Sequence, residues 1–338
     1  MAATIKDIAK ETGLGLATIS SYLNGGNVRE KNRIKIEKAI DELDYEVNEM
    51  ARGLKTNKSK IIGVVIPELS NVFITEIISI VEDFFRKKGY ATIVCSCKND
   101  PQIEKKVVDF LYKKRVDGII NMPVNSDGSH LKPFEDSKKP ILLVDRKVDE
   151  LKCDYVLIDN KLATKKATDL LIKNGHKKIG FIAGPESVYT SIERLSGYKE
   201  SLLETGIEFE DRLIAYGNYT IDGGVKCLKK LVEDNSDMTA VIASNAEMTI
   251  GTFIAIGELE LKVPEEISVI GFDNVKFAKA MNPKVTIVTQ PIKEIANTTA
   301  KIMLSKLEGS DKDENKYKYE TVELTTDIIY GNSIKDIS

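Results

Sequence analysis

From Ile61 onward the chain alternates short, continuous apolar runs with amphipathic stretches of helical period, and few folds accommodate that pattern. IIGVVIP at 61–67 reads as a strand buried on both faces, and 73–88 reads as an amphipathic helix. Further strands are expected at 91–95, 118–122, 141–144, 155–158, 179–183, 240–243 and 268–272, with helical patterns between most of them. Unbroken apolar strands separated by helices imply parallel sheets covered on both faces, a doubly wound α/β arrangement. The span 61–338 is long for one such layer, so two similar subdomains are expected.

The first 60 residues follow a different rule. Thr4 is placed to cap a helix, with Asp7 as the acidic half of a capping box. Ile5, Ile8 and Ala9 form its apolar stripe, and Gly13 stops it. A second short helix, about Leu16 to Leu23, follows a tight turn, and the pair reads as a helix-turn-helix. Its second helix would present Leu16, Ala17, Thr18, Ser20 and Ser21 to a DNA major groove and pack Ile19 and Leu23 inward. Hydroxyls can bond base edges or phosphates, and small side chains admit close approach. The spacing alone is equally compatible with a small three-helix core that never meets DNA.

Open α/β sheets bind ligands outside the carboxyl ends of their strands. That rule selects Ser70, Asn71 and Phe73 after the first strand, Asp145 after the run ending at Val144, Asn245 after AVIAS, and Asp273 after SVIGF. Any one of these residues alone would be an ordinary turn or helix cap. Four at corresponding strand ends point to a cleft, with polar groups for a polar ligand and Phe73 as a flat apolar wall.

Composition excludes more than it proves. The net charge is −3, but residues 1–60 hold 11 Lys/Arg against 9 Asp/Glu, leaving 38 against 43 in the remainder. The basic bias is mild, and Arg29, Lys31, Arg33 and Lys35 could touch phosphate or simply form a solvated face. No apolar leader follows Met1 and no run approaches membrane-spanning length, which favours a cytoplasmic protein. Cys95, Cys97, Cys153 and Cys227 are too scattered for a disulfide framework, and His130 and His176 lack ligand-spaced partners, so no metal site is expected. A dehydrogenase would need a glycine-rich turn after the first strand, where the chain has PELSNVF, and no nucleophile–base pair stands out. Neither an enzyme nor a cofactor is expected.

Several motifs now converge. ATIS at 17–20, Asn24, DELDY at 41–45 and N-x-x-A-R-x-L-K at 48–55 closely resemble the headpiece of the lactose/galactose-repressor (LacI/GalR) family of bacterial transcription regulators. PELSNVF, KRVDGII, LLVDR, NGHKKIGFIAGP, ERLSGY, VPEEISVIGFDN and TIVTQP resemble the family's body, in its order. The resemblance implies a helix-turn-helix headpiece at 1–47, a hinge helix and linker at 48–60, and a periplasmic-binding-protein-like core at 61–338. Within that core it implies a first subdomain of about 61–159 and 291–320 and a second of about 160–290 and 321–338, with crossings near 159–161, 289–291 and 320–323. It adds Asn24, Arg52, Leu54 and Lys55 to the DNA-contacting set, with Leu54 as a minor-groove wedge. It places Phe73, Thr190, Arg194, Tyr219, Asn245 and Asp273 beside Asp145 around an effector.

The function so implied is that of a homodimeric repressor of double-stranded operator DNA, controlled by a small molecule, a sugar or sugar derivative. A family-type regulator answering to a protein partner, and a solute-binding protein with no regulatory role, are the alternatives; the latter should carry a secretory signal instead of a headpiece. Three departures from the family pattern stand out. Gly15 replaces a capping serine, Ser21 replaces an arginine, and Asn245–Ala246–Glu247 stands where the family often reads Asn-Asp.

Overall fold

The computed structural model describes residues 3–23, 25–45, 58–148, 150–273, 275–309 and 318–338. They fall into two compact units that divide between Ser59 and Lys60.

The first unit is three helices: α1 (Ile5–Thr12), α2 (Leu16–Leu23) and α3 (Glu30–Leu43). Asp7 accepts from both the backbone N–H of Thr4, at 2.9 Å, and its hydroxyl, at 2.7 Å. Gly13 closes α1 at φ 67°, its N–H returning to the Ala9 carbonyl. Ile8, Ile19 and Ile36 are fully buried at the centre, one from each helix, with Ile5, Ala9, Leu23 and Leu43 packed around them.

The second unit holds two six-stranded sheets. Its elements in chain order begin with β1 (Ile61–Ile66), α4 (Val72–Lys87), β2 (Ala91–Ser96), α5 (Pro101–Lys113), β3 (Gly118–Asn121) and the short α6 (Lys132–Asp136). There follow β4 (Ile141–Val144), β5 (Asp154–Ile158), α7 (Asn160–Lys173), β6 (Ile179–Ala183), α8 (Tyr189–Glu204), β7 (Ile214–Tyr216) and α9 (Ile221–Asp234). The chain ends with β8 (Ala240–Ala243), α10 (Ala246–Glu258), β9 (Ser268–Phe272), α11 (Val275–Ala280), β10 (Thr286–Thr289), α12 (Ile292–Glu308), β11 (Thr321–Leu324) and β12 (Asp327–Ile329).

The first sheet runs β11-β5-β4-β3-β1-β2 and is parallel throughout. The second runs β12-β10-β9-β8-β6-β7 and is parallel except for β12, which lies antiparallel to β10. Both are sandwiched by helices. On the first sheet, α4 and α12 bury Ile77, Val81, Phe85, Ala296 and Met303 on one face, while Val108, Leu111 and Phe134 cover the other. On the second, α7 and α8 supply Ala167, Leu171 and Tyr198, and α9 and α10 supply Leu228, Leu231 and Met248.

The chain passes between the two halves three times. The first passage is at Asp159, between β5 and α7, and the second is at Gln290–Pro291, between β10 and α12. The third corrects an expectation. Strand β11 pairs with β5 over Thr321–Leu324, so 321–324 belong to the first half and the passage falls at Thr325–Thr326 instead of 320–323. Asp159 ties the outer two passages together, its Oδ1 accepting from the Thr326 N–H at 2.8 Å and hydroxyl at 2.7 Å.

Candidate functional site

In the headpiece, Ile19 faces the core and the opposite side of α2 looks outward. Leu16 is 46% exposed, Ala17 is exposed, and Thr18, Ser20 and Ser21 are half-buried. The Gly15 carbonyl accepts the first helical bonds, from the N–H groups of Thr18 and Ile19, and α2 starts without a capping hydroxyl. The Ser21 hydroxyl lies against Gly26, where a Cβ would come within 2.4 Å of it, so this side chain leans on the turn behind the helix. Tyr22 instead braces α2 on α3, its hydroxyl donating to Glu37 at 2.9 Å. Arg29, Lys31, Arg33 and Lys35 are exposed, with Arg33 spent partly on Glu30 at 2.7 Å. Asn24, Arg52, Leu54 and Lys55 lie outside the described residues.

In the body, the strand-end residues converge on one cavity of about 400 Å³, walled by both halves. Phe73, Asp145, Thr190, Arg194, Tyr219, Asn245 and Asp273 all line it, as do Ser70 and Asn71. Asn71 and Asn245 play matching parts at the two helices that open onto it. Each accepts from the backbone N–H three residues on, Ile74 at 3.0 Å and Met248 at 2.9 Å, capping α4 and α10. Asp145 and Asp273 also correspond. Each follows a strand in the left-handed region, at φ 69° and 61°, a conformation that aspartate tolerates better than most residues. Each gives its N–H to the neighbouring strand, to Val156 at 2.9 Å and Val288 at 2.7 Å. The two halves therefore present equivalent carboxylates to one space.

Arg194 is 3% exposed, and two of its five N–H groups donate within the protein. Its Nε donates to Asn160 at 2.8 Å, one terminal nitrogen donates to the Ser244 carbonyl, and its guanidinium lies 4.6 Å from the centre of the Phe272 ring. The Asp273 Oδ1 accepts from Gln290 at 2.9 Å. Burial pushes the Asp273 carboxyl up to about 6, with Asp145 adding repulsion, while Arg194 and the Gln290 bond partly hold it down. Burial likewise lifts Glu247 to about 7, and Asp273 repels it further. Thr190 and Tyr219 share a hydroxyl hydrogen bond of 2.9 Å. The Tyr219 ring occupies the space that a Cβ on Gly184 would fill, at 2.1 Å, which gives the glycine of IAGP its reason.

Three contributors were missed by the strand-end rule; Arg146 stands beside a residue it selects and Gln290 lies in a recognised segment, while Asn160 carried no signal of either kind. Arg146, next to Asp145, is 8% exposed, bonds the Pro123 carbonyl at 2.9 Å and lies 5.9 Å from the centre of the Tyr219 ring. Gln290, in TIVTQP, is 5% exposed and directly follows β10, where it bonds Asp273. Asn160 reaches Arg194 from the first residue of α7. Among the described residues no cluster of His, Cys, Asp and Glu could hold a metal ion, and no helix is long and apolar enough to cross a membrane.

Known proteins match both units. Residues 4–48 match the family described as bacterial regulatory proteins of the lacI family. Residues 59–317 match the periplasmic binding proteins and sugar binding domain of the LacI family. The transcriptional repressor CytR of Escherichia coli strain K12 is 33% identical over 315 residues, covering 91% of each chain. The structure of the transcriptional regulator CelR in complex with cellobiose superposes with a TM-score of 0.74 at 26% identity, over 98% of this chain and 99% of that one. The lac repressor dimer bound to operator and the anti-inducer ONPF shares the fold, with a TM-score of 0.84 at 23% identity over 99% and 100% of the two chains. With a helix-turn-helix at one end and a two-sheet sugar-binding fold making up the rest, this chain belongs to the LacI family of bacterial transcriptional regulators.

Proposed function

We propose that this regulator is a homodimeric, cytoplasmic repressor whose operator affinity is set by a carbohydrate bound in the cleft, and that it acts by binding without catalysing a reaction. Seven residues chosen from strand ends and family position line a single cavity, and this convergence is the observation that carries the reading. Its chemistry suits a polyol. Carboxylates and amides that accept and donate surround the space, with Phe73 and Tyr219 as flat walls. Cellobiose in the CelR complex is a ligand of that class, and the lac repressor is a dimer on its operator.

The cleft is also wired to the passages between its halves. Arg194 is bonded to Asn160, the residue after the first passage, and Asp273 to Gln290 at the second. A ligand that engages Arg194 and Asp273 better in one relative arrangement of the halves shifts the population toward it. In the proposed dimer that shift governs whether the two hinge segments at 48–55, with Arg52, Leu54 and Lys55, reach the minor groove together. Leu16, Ala17, Thr18, Ser20 and Ser21, followed by Asn24, meet the major groove of each half-site.

Selection of full-length protein on a random duplex pool tests the DNA half of the reading. It should recover a pseudo-palindrome bound with steep salt dependence, because phosphate contacts release counterions. A thermal-shift screen of sugars tests the other half, since ligand at ~100 times its Kd adds roughly 2.7 kcal/mol. Recovery of no inverted repeat, or a sugar that binds yet leaves operator affinity unchanged, would refute the reading.

A further inference from the structure

This inference rests on the carbohydrate reading of the cleft and concerns the charge such a ligand must carry. The described lining includes the cations Arg146 and Arg194 and the acids Glu68, Asp145, Asp222, Glu247 and Asp273. The cations have nearby counterparts. Arg146 lies 3.5 Å from Asp145, and Arg194 attracts Asp273. Glu68 accepts the neighbouring Leu69 N–H at 3.1 Å, and Asp222 is exposed at the start of α9.

Glu247 is the acid left over. Its carboxylate accepts from the neutral Asn245 amide at 2.6 Å, and the charged side chain that acts on it is Asp273, which repels it. Arg194 offsets Asp273, but among the described residues no cation offsets the half-buried Glu247, and a buried charge is costly unless compensated. It also stands where the chain departs from the family's Asn-Asp pattern. A second, independent observation lies on the same wall. Gln290, 5% exposed, gives its N–H to Asp273 and leaves its carbonyl oxygen without a donor. The wall is thus short of both positive charge and donors. A neutral hydroxyl supplies a donor and no charge, whereas an ammonium supplies three donors, a positive charge and no acceptor.

We propose that the natural ligand is an amine-bearing carbohydrate, an amino sugar or aminated polyol, whose ammonium group is held by Glu247 and Asp273. Its hydroxyls fall to Asn71, Asn245 and Thr190. Calorimetric titration of the full-length protein with matched pairs tests this: glucose and glucosamine, galactose and galactosamine, mannose and mannosamine, together with N-acetylglucosamine, which keeps the nitrogen without its charge. At least one free amine should bind at least tenfold tighter than both its parent sugar and any acetylated form, and Glu247→Gln should erase that margin while melting no lower than the parent protein. Equal or tighter binding of the neutral sugars, or an unchanged amine preference in Glu247→Gln, overturns the amine assignment and leaves the carbohydrate reading standing. No binding by any member overturns both.

Discussion

Replacing Asp273 by asparagine should make the unliganded protein more stable at pH 8 than at pH 4.5, relative to the parent. The carboxyl is lifted from its ordinary 3.8 to about 6 because it is buried. The folded state then holds this proton more tightly than the unfolded chain, so it binds more protons across that window. Stability is fully present below about pH 4 and falls as pH rises through about 6. A tenfold change in proton affinity corresponds to about 1.4 kcal/mol, so the parent has lost about 1 kcal/mol at pH 4.5 and about 3 kcal/mol at pH 8. Asparagine keeps an oxygen to accept from Gln290 and cannot ionise. Its advantage should therefore grow by about 2 kcal/mol between the two pH values. Any fixed packing cost of the substitution cancels in that difference. Removing Asp273 also relieves repulsion on Glu247, which works in the same direction. Urea unfolding at a series of pH values, followed by circular dichroism, measures this directly, provided the slope m is unchanged. Parallel pH profiles for parent and variant, or an advantage that grows toward acid, would refute the account of a carboxyl buried at the cleft wall.

Two further outcomes are expected. A Cβ added at Gly197 would lie 2.0 Å from the backbone oxygen of Lys161, so Gly197→Ala must spread α7 from α8 and should cost about 1–3 kcal/mol in urea unfolding; unchanged stability would mean that the two helices do not meet there. Leu54→Ala should weaken binding to the selected pseudo-palindrome much more than to random duplex and should reduce DNA bending, because an apolar wedge acts by unstacking a base step; equal losses on both duplexes would point to a folding defect.

Much of the architecture was legible because parallel strands buried on both faces leave a strong trace. IIGVVI, ILLV, IGFIA and AVIA are uninterrupted apolar runs and SVIGF becomes one after its first residue, and each strand has the bounds expected of it to within a residue. Strands β7, β10, β11 and β12 escaped notice. All span four residues or fewer; β7, β11 and β12 stand at sheet edges and are partly exposed, while β10 is interior but its TIVT breaks the apolar run with threonines, so IAY, TIVT, TVEL and DII carry no continuous apolar signature. The capping aspartate and the stop at Gly13 were legible too, since a helix end is a local hydrogen-bonding problem solved within four residues.

The cleft divides along the same line. The sequence alone determined which residues end the parallel strands, and Asp145, Asn245 and Asp273 follow because helix-capped strand ends point to one edge of an open sheet. Which half β11 joins, and hence where the third passage falls, was decided only by tertiary pairing with β5, a partner 166 residues away along the chain at the Glu320–Asp154 bond. The same is true of Arg194 held to Asn160, Gln290 held to Asp273, and Glu247 left without a cation. Capping and hydrophobic period are properties of neighbours in sequence. Charge compensation in a cavity is a sum over side chains brought together by the fold, and no local pattern encodes it.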